Sequence, residues 1–464
     1  MSDRSKVSRS GLLLCLLGSV VGCKAAHPRS EFQTNPEPII AASHEMLASV
    51  RTSPSTEAAT PDDPFADTVE LELEQLTVEV LRRNPSVQAM GAAWRAAAER
   101  YPQVISLDDP MFGTMLGPAS MGSGDVDFGW MVEGSQKIQW PGKRQLRGSV
   151  ARAEADAAHH EIEETRLKLT ELTAMAFLDY YVAHRELALN RENIERAQEF
   201  QTIALGHVAA GKVRQQDVLQ ADLDILALGQ RRSALEQNNN VAAARINTLL
   251  HQSPSHKLPR PPAKLSTLGT LPLVDELQKL AIDRRPDLDR QAASLRADEA
   301  ALELAAREFY PDFEFVARYD AFWQTAEKDL RPQVGINLNL PLAQKERRCA
   351  AVREAIAKLE QRRAQLAAQI DQVHLEVQAA VEGLTAARKI LEPYFGPNGI
   401  ISKAELSFES ARAVYESSML DFLRVIDAQR QLINHRDKQV EAEAEYHRRK
   451  AELERVLGGA LAQE

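Results

Sequence analysis

The sequence predicts a mainly α protein with a membrane β-barrel portion, built around two long helical coiled-coil hairpins in tandem. Three observations carry that prediction. The two halves of the chain repeat each other, and the prolines of the best register mark, Pro141 and Pro341, lie 200 positions apart. Each mark follows a stretch of apolar/polar alternation, the period of a strand with one greasy face. Each also opens a long charged stretch poor in helix breakers; after Pro141 the next proline is Pro254.

The 464 residues carry a net charge of −10, which argues against nucleic acid as a partner. Abundant Ala, Glu, Arg, Gln and Leu with few aromatics favour long helices over a thick globular core. Residues 1–22 read as a lipoprotein signal peptide. Arg4, Lys6 and Arg9 precede an apolar run, Leu12 to Val21, too short to span a bilayer as a mature helix. The run ends at Gly22-Cys23, which resembles a bacterial lipoprotein cleavage box with Cys23 as the lipidated residue. An ordinary signal peptide with an incidental cysteine is the alternative. Lys24 follows instead of the aspartate that resembles an inner-membrane retention signal, which points to the outer membrane. Residues 23–66, rich in Pro, Ser, Thr and Ala, form a flexible lipidated tether. Cys15 lies in the leader, so Cys349 is left without a disulfide partner and stability rests on packing or assembly. No cofactor is expected beyond the covalent lipid on Cys23.

The first repeat spans residues 67–252 and the second 273–458, with a Pro-rich linker at 253–272 and a tail at 459–464. Each repeat opens on an amphipathic helix, marked by Leu71, Leu73, Leu76, Val80 and Leu81 in one and Leu273, Leu277, Leu280 and Ile282 in the other. Asn84-Pro85 and Arg285-Pro286 break these helices. A second helix then runs to Tyr101-Pro102 and to Tyr310-Pro311, longer in the second copy by about two turns.

Strands follow. Val126, Phe128, Trp130, Val132 and Ile138 share one parity, against Asp127, Glu133, Ser135, Lys137 and Gln139. Phe313, Phe315 and Tyr319 oppose Glu314, Arg318 and Asp320; Val334, Ile336, Leu338 and Leu340 oppose Asn337 and Asn339. A less distinct strand runs from Met111 to Leu116. Strands of about ten residues, tilted, suit a membrane barrel; a soluble hairpin lying on a core is the alternative. Four strands cannot close around a pore, and lipid does not tolerate open edges. Three chains would supply twelve.

The helix after Pro141 extends from about Gly142 to Gly206, roughly 95 Å by its rise. It returns from about Lys212 to His251. The second copy matches, from Leu342 and then from about Met419 to Leu457, with a break at Pro393 to Gly399. Ile426, Ile433 and Val440 stand at heptad spacing, the seam of a coiled coil. The turns between long helices also repeat: Gly211 through Ala221 in one copy, Ser418 through Ala428 in the other.

Lipobox, duplicated helix-strand-strand-helix-helix order, strand-Pro-helix junctions and the Gly-to-Ala turn resemble the TolC-type outer-membrane efflux factors over most of the mature chain. Asp109-Pro110-Met111-Phe112 and the run from Gln136 to Arg144 look nearest the heavy-metal, CzcC/CusC-like branch. The resemblance implies a homotrimer with one twelve-stranded barrel in the outer membrane and a periplasmic helical tunnel. It implies a periplasmic adaptor protein, an inner-membrane pump of the RND type and outer-membrane lipids as partners. It implies passage of substrate, favoured as heavy-metal cations; drug efflux and type I secretion stay open. Gate positions carried over from the family fall on Arg424 and Asp427, and in the first copy on Asp217. Arg424 departs from the family's acidic pattern, and Ser418 replaces its turn glycine. Solvated helix faces are the plain alternative for Asp427 and Arg424. Adaptor contact falls on Gly211, Lys212, Ser417 and Ser418. Trp140-Pro141 and Leu340-Pro341 become the membrane boundary, with each proline in a helix's first turn.

Other chemistry is weakly signalled. Met111, Met115, Met121 and Met131 are four of nine methionines within twenty-one residues, and thioethers suit soft Cu(I); apolar filler of a membrane strand is the favoured reading. The neighbouring His159 and His160 cannot share a helix face. No P-loop or nucleophile elbow is present, so an enzyme is not expected. A scaffolding coiled-coil lipoprotein is the rival from another class; it leaves the alternating strands unexplained.

Overall fold

The computed structural model describes residues 65, 68–117, 129–210, 215–265, 272–321, 331–340, 345–416 and 422–461, all within the unit Pro64–Glu464. Expectations for Cys23, Met121, Gly211, Lys212, Pro341, Ser417 and Ser418, for the leader, and for the tether apart from Phe65, which is buried in the first copy's core, lie outside the described residues.

The first repeat contains α1 (Leu73–Arg83), α2 (Pro85–Ala98), α3 (Arg100–Ile105), β1 (Met111–Leu116), β2 (Trp130–Ile138), α4 (Lys143–Ala209) and α5 (Gln215–Leu249). The second contains α6 (Val274–Arg284), α7 (Pro286–Arg307), β3 (Asp312–Ala321), β4 (Arg331–Asn339), α8 (Lys345–Leu391), α9 (Ile400–Glu416) and α10 (Phe422–Val456). A short 3-10 turn, Glu392–Tyr394, marks the break between α8 and α9. The helix α4 alone has 67 residues, about 100 Å at the α-helical rise. No helix among the described residues is long and apolar enough to cross a membrane.

The repeat is visible in the cores. Leu76, Val80, Phe177, Ile246 and Leu250 pack together in the first copy. Their counterparts Leu277, Ala281, Val377, Leu453 and Leu457 pack together in the second. Both elbows use one device: the residue before proline is extended, at ψ 125° for Asn84 and 119° for Arg285, and proline opens the next helix. They differ in chemistry. Asn84 accepts from Ser86 N at 2.9 Å and donates to the Leu249 carbonyl at 3.0 Å. Arg285 instead ties Asp287 to Glu376 of α8.

Several expectations need correction. Tyr101-Pro102 does not end a helix, because α3 carries the chain on to Ile105. Pro102 stands third in that helix, where its missing N–H costs nothing. Taken together, α2 and α3 (85–105) are nearly as long as α7 (286–307), although the first copy's helix is broken at Glu99. The apolar stripe of α6 is also narrower than read: Leu277 and Ala281 are buried, but Leu273 and Ile282 are exposed. Much of the interrepeat stretch is held by the first copy. The Arg260 carbonyl accepts from Leu71 N at 2.8 Å, and Asn247 Nδ2 donates to the carbonyls of Pro254 and His256 at 3.1 and 2.8 Å.

Candidate functional site

The four strands form one antiparallel sheet in sequence order, β1-β2-β3-β4. Its register sorts the side chains because successive residues alternate faces. Glu133 lies opposite Arg318, Lys137 opposite Glu314, and Glu314 opposite Asn337. Arg318 Nη2 reaches Glu133 Oε2 at 2.9 Å, and Ser135 donates to Glu314 at 2.9 Å. The other face carries Phe112, Trp130, Val132, Ile138, Phe313, Phe315, Tyr319, Val334, Ile336 and Leu338. This is the alternation expected from the sequence. Both outer edges, β1 and β4, are without a strand partner among the described residues.

The junction of β2 with α4 is more elaborate than a proline stop. Lys143 N donates to the Trp140 carbonyl at 3.1 Å, closing a turn over Pro141 and Gly142. Gly142 has φ +90°, the left-handed conformation such a turn needs, and a Cβ there would sit 1.9 Å from Arg307 Nη1. Pro141 therefore stands outside the helix, not in its first turn as expected, and α4 begins at Lys143. The Trp140 ring stacks on Tyr310 and Phe313 at 5.2 and 5.4 Å between centroids. Lys143 is 1% exposed; its Nζ donates to the Tyr310 carbonyl at 2.9 Å and to Asp312 Oδ1 at 3.0 Å, with Glu308 at 3.4 Å. Asp312 also accepts from Trp140 N at 2.9 Å. The first copy's junction is thus clamped onto the helix-to-strand corner of the second. Leu340, its counterpart, is exposed.

At the far end of the hairpins the two copies share a core: Phe200 of α4, Ala221 of α5, Phe408 and Tyr415 of α9, and Val425, Ile426 and Leu432 of α10. Ile426 and Val440 are buried and Ile433 is half-buried, as the heptad seam requires. Asp217 lies in the first turn of α5, where a carboxylate suits the helix dipole. Burial and the Asp217 charge together push the Tyr415 phenol up to about 12. Arg424 and Asp427 are both exposed, one turn apart on the same face of α10.

Below that end, ion pairs join the helices. Arg430 of α10 meets Asp224 of α5 at 2.6 Å, and Arg231 of α5 meets Asp437 of α10 at 2.5 Å. The two bridges are one heptad apart with their charges exchanged. Arg436 reaches Glu405 of α9 at 2.6 Å and Glu192 of α4 at 3.5 Å. Sequence reasoning missed these residues; the signal was present, as complementary charges at heptad spacing on the two return helices. His159 and His160 diverge, one against Trp94 and one toward Asp289. Among the described residues no His/Cys/Asp/Glu cluster could hold a metal ion.

An amphipathic sheet joined to paired helical hairpins of this length defines the class of outer-membrane channel proteins. The chain belongs to the outer membrane efflux protein family, whose model matches residues 76–251 and 277–459. It shares its fold with solved outer-membrane channels. For OprN the TM-score is 0.67 at 20% identity, covering 88% of this chain and 98% of that one. For CusC the values are 0.70 and 14%, covering 88% and 97%. VceC from Vibrio cholerae gives 0.68 and 19%, covering 84% and 96%. No curated protein sequence matches the chain.

Proposed function

We propose that three copies of this chain form the outer-membrane channel of a tripartite efflux system. The observation that carries this reading is the sheet: among the described residues it has four strands, two edges without a strand partner, one apolar face and one polar face. Lipid excludes open edges, so the sheets of three chains close on one another into a twelve-stranded barrel, polar face inward. The hairpins continue that barrel as a periplasmic conduit. In this reading residues 1–22 are removed, Cys23 carries the lipid and 23–66 tether it. The repeats are 67–252 and 273–458, joined by 253–272 and followed by the tail 459–464. Trp140-Pro141 and Leu340-Pro341 mark the membrane boundary. The turns at Gly211, Lys212, Ser417 and Ser418 meet a periplasmic adaptor, which links the channel to an inner-membrane pump of the RND type. Heavy-metal cations are the favoured cargo, from the sequence resemblance at residues 109–112 and 136–144.

Planar-bilayer recording of the purified protein tests the channel. Discrete conductance steps are expected; a scaffolding lipoprotein would give none. The gate is tested in the same assay. In this reading Arg424 and Asp427, exposed on one face of α10, line the narrow end, and salt screens a charged ring there. Asp427→Ala is expected to raise basal conductance severalfold, and an unchanged conductance would remove Asp427 from the gate.

A further inference from the structure

The register of the sheet places its methionines on a face that a filler role does not explain. Met115 lies directly opposite Met131, and Met111 lies opposite Ser135. Met111, Met115 and Met131 therefore share the face that carries Glu133, Ser135, Glu314, Arg318 and Asn337. Their strand neighbours Phe112, Leu116, Trp130 and Val132 occupy the apolar face. Filler for a lipid-facing wall belongs with those residues, because lipid-facing and water-facing positions alternate. Met111 and Met115 are exposed.

Opposed residues on one face have Cβ atoms about 4.5–5.5 Å apart. Two unbranched thioether side chains can span that distance to bring both sulfurs to one ion. A carboxylate completes the setting. Met131 lies opposite Asp320 on its other side. Asp320 Oδ2 accepts from Gln333 Nε2 at 3.1 Å. Its Oδ1 is shut off from solvent and accepts no hydrogen bond among the described residues. A shielded oxygen of this kind calls for a cation or a donor.

We propose that Met115 and Met131, with Met111 beside them and Asp320 supplying charge, form a binding site for a soft monovalent cation, Cu(I) or Ag(I), on the polar face of the sheet. Thioether sulfur selects such ions over hard cations. Placing the site on the channel wall rests on the barrel reading above; the binding chemistry does not. Three chains would present three sites around one lumen, on the path of the favoured cargo.

The test uses the full-length protein with ¹³C-labelled methionine methyl groups, titrated with silver nitrate in chloride-free buffer. Selective shifts of the Met115 and Met131 methyls are expected. They are assigned with Met115→Leu and Met131→Leu, which nearly conserve volume. Either substitution is expected to abolish the silver-induced shift of the remaining partner. The methyl signals report methionine alone, so the thiol of Cys349 does not enter. Silent methyls, or equal shifts at all exposed methionines, would overturn the site. Conductance without silver separates the two readings. Channels with silent methyls leave the channel standing and remove the site. Selective shifts without channels support the site and remove the wall.

Discussion

Lys143→Met is expected to loosen the strand-to-helix junction and to cost about 3–5 kcal/mol, the range for breaking a buried pair from one side. Lys143 is 1% exposed. Its ammonium has three protons, and the Tyr310 carbonyl, Asp312 and Glu308 surround it at 2.9, 3.0 and 3.4 Å. Methionine fills the stem's space but leaves the Asp312 carboxylate and the Tyr310 carbonyl short of a donor. Arginine is no substitute, since its planar fork is larger and holds its donors in fixed directions. Thermal unfolding of the purified protein measures the effect. Wild type and variant must be compared at equal protein concentration, because assembly contributes to stability. An unchanged transition would show that the junction does not depend on the clamp. A double-mutant cycle with Asp312→Asn would then isolate the pair.

Arg285→Met is expected to cost a similar amount, about 3–5 kcal/mol, and to invert the response to acid. Arg285 Nε and Nη2 meet the two oxygens of Asp287 at 2.9 and 2.7 Å, and Nη1 meets Glu376 at 2.6 Å. Gln369 adds a hydrogen bond to Asp287 at 2.8 Å. Burial works against both carboxylates, yet hydrogen bonds and charge from Arg285 hold both below the usual carboxylate range. A depressed folded pKa stabilises the fold above the unfolded pKa, about 4 for these groups. That stability is lost as pH falls through the lower folded values. The wild type is therefore expected to weaken only in strong acid. Without Arg285, burial is expected to outweigh the support that remains, from Gln369 and the Leu288 amide for Asp287 and from Gln372 and Arg455 for Glu376, so both pKa values rise. The variant is expected to be least stable near neutrality and to gain stability as the carboxyls are protonated. Unfolding followed between neutral pH and pH 4 distinguishes the cases; parallel profiles would show that the network carries no such linkage.

Much of the fold is legible in the residues. Alternation in Phe313, Phe315 and Tyr319 against Glu314, Arg318 and Asp320 reads as a two-faced strand, because the side-chain period of a strand is two. The proline marks locate the repeats, because proline breaks a helix wherever it lacks a first-turn position. The same rule misleads at Tyr101-Pro102, where the helix had restarted two residues earlier. Lys143 looked like one cation in a basic run, and only the second repeat's corner makes it a buried one. Arg285 looked like an ordinary pre-proline residue. Its partner Glu376 lies 91 positions away, beyond the reach of any local pattern. Asp217 is a gate candidate because it stands where Arg424 stands in the second copy. What the repeat does not foretell is that the Asp217 charge also acts on Tyr415 of the second copy.

By itself the sequence determined the duplication, the approximate span of the long helices, the strands and the two faces of each strand. These follow from periodicity and chain-stiffening residues, which act within a few positions. Tertiary structure decided which strand lies beside which, and so that Met115 faces Met131 on the polar side. It also decided which cations meet which carboxylates across the repeats. Pairing register and long-range charge contacts depend on how whole elements pack, which no stretch of a few residues settles by itself.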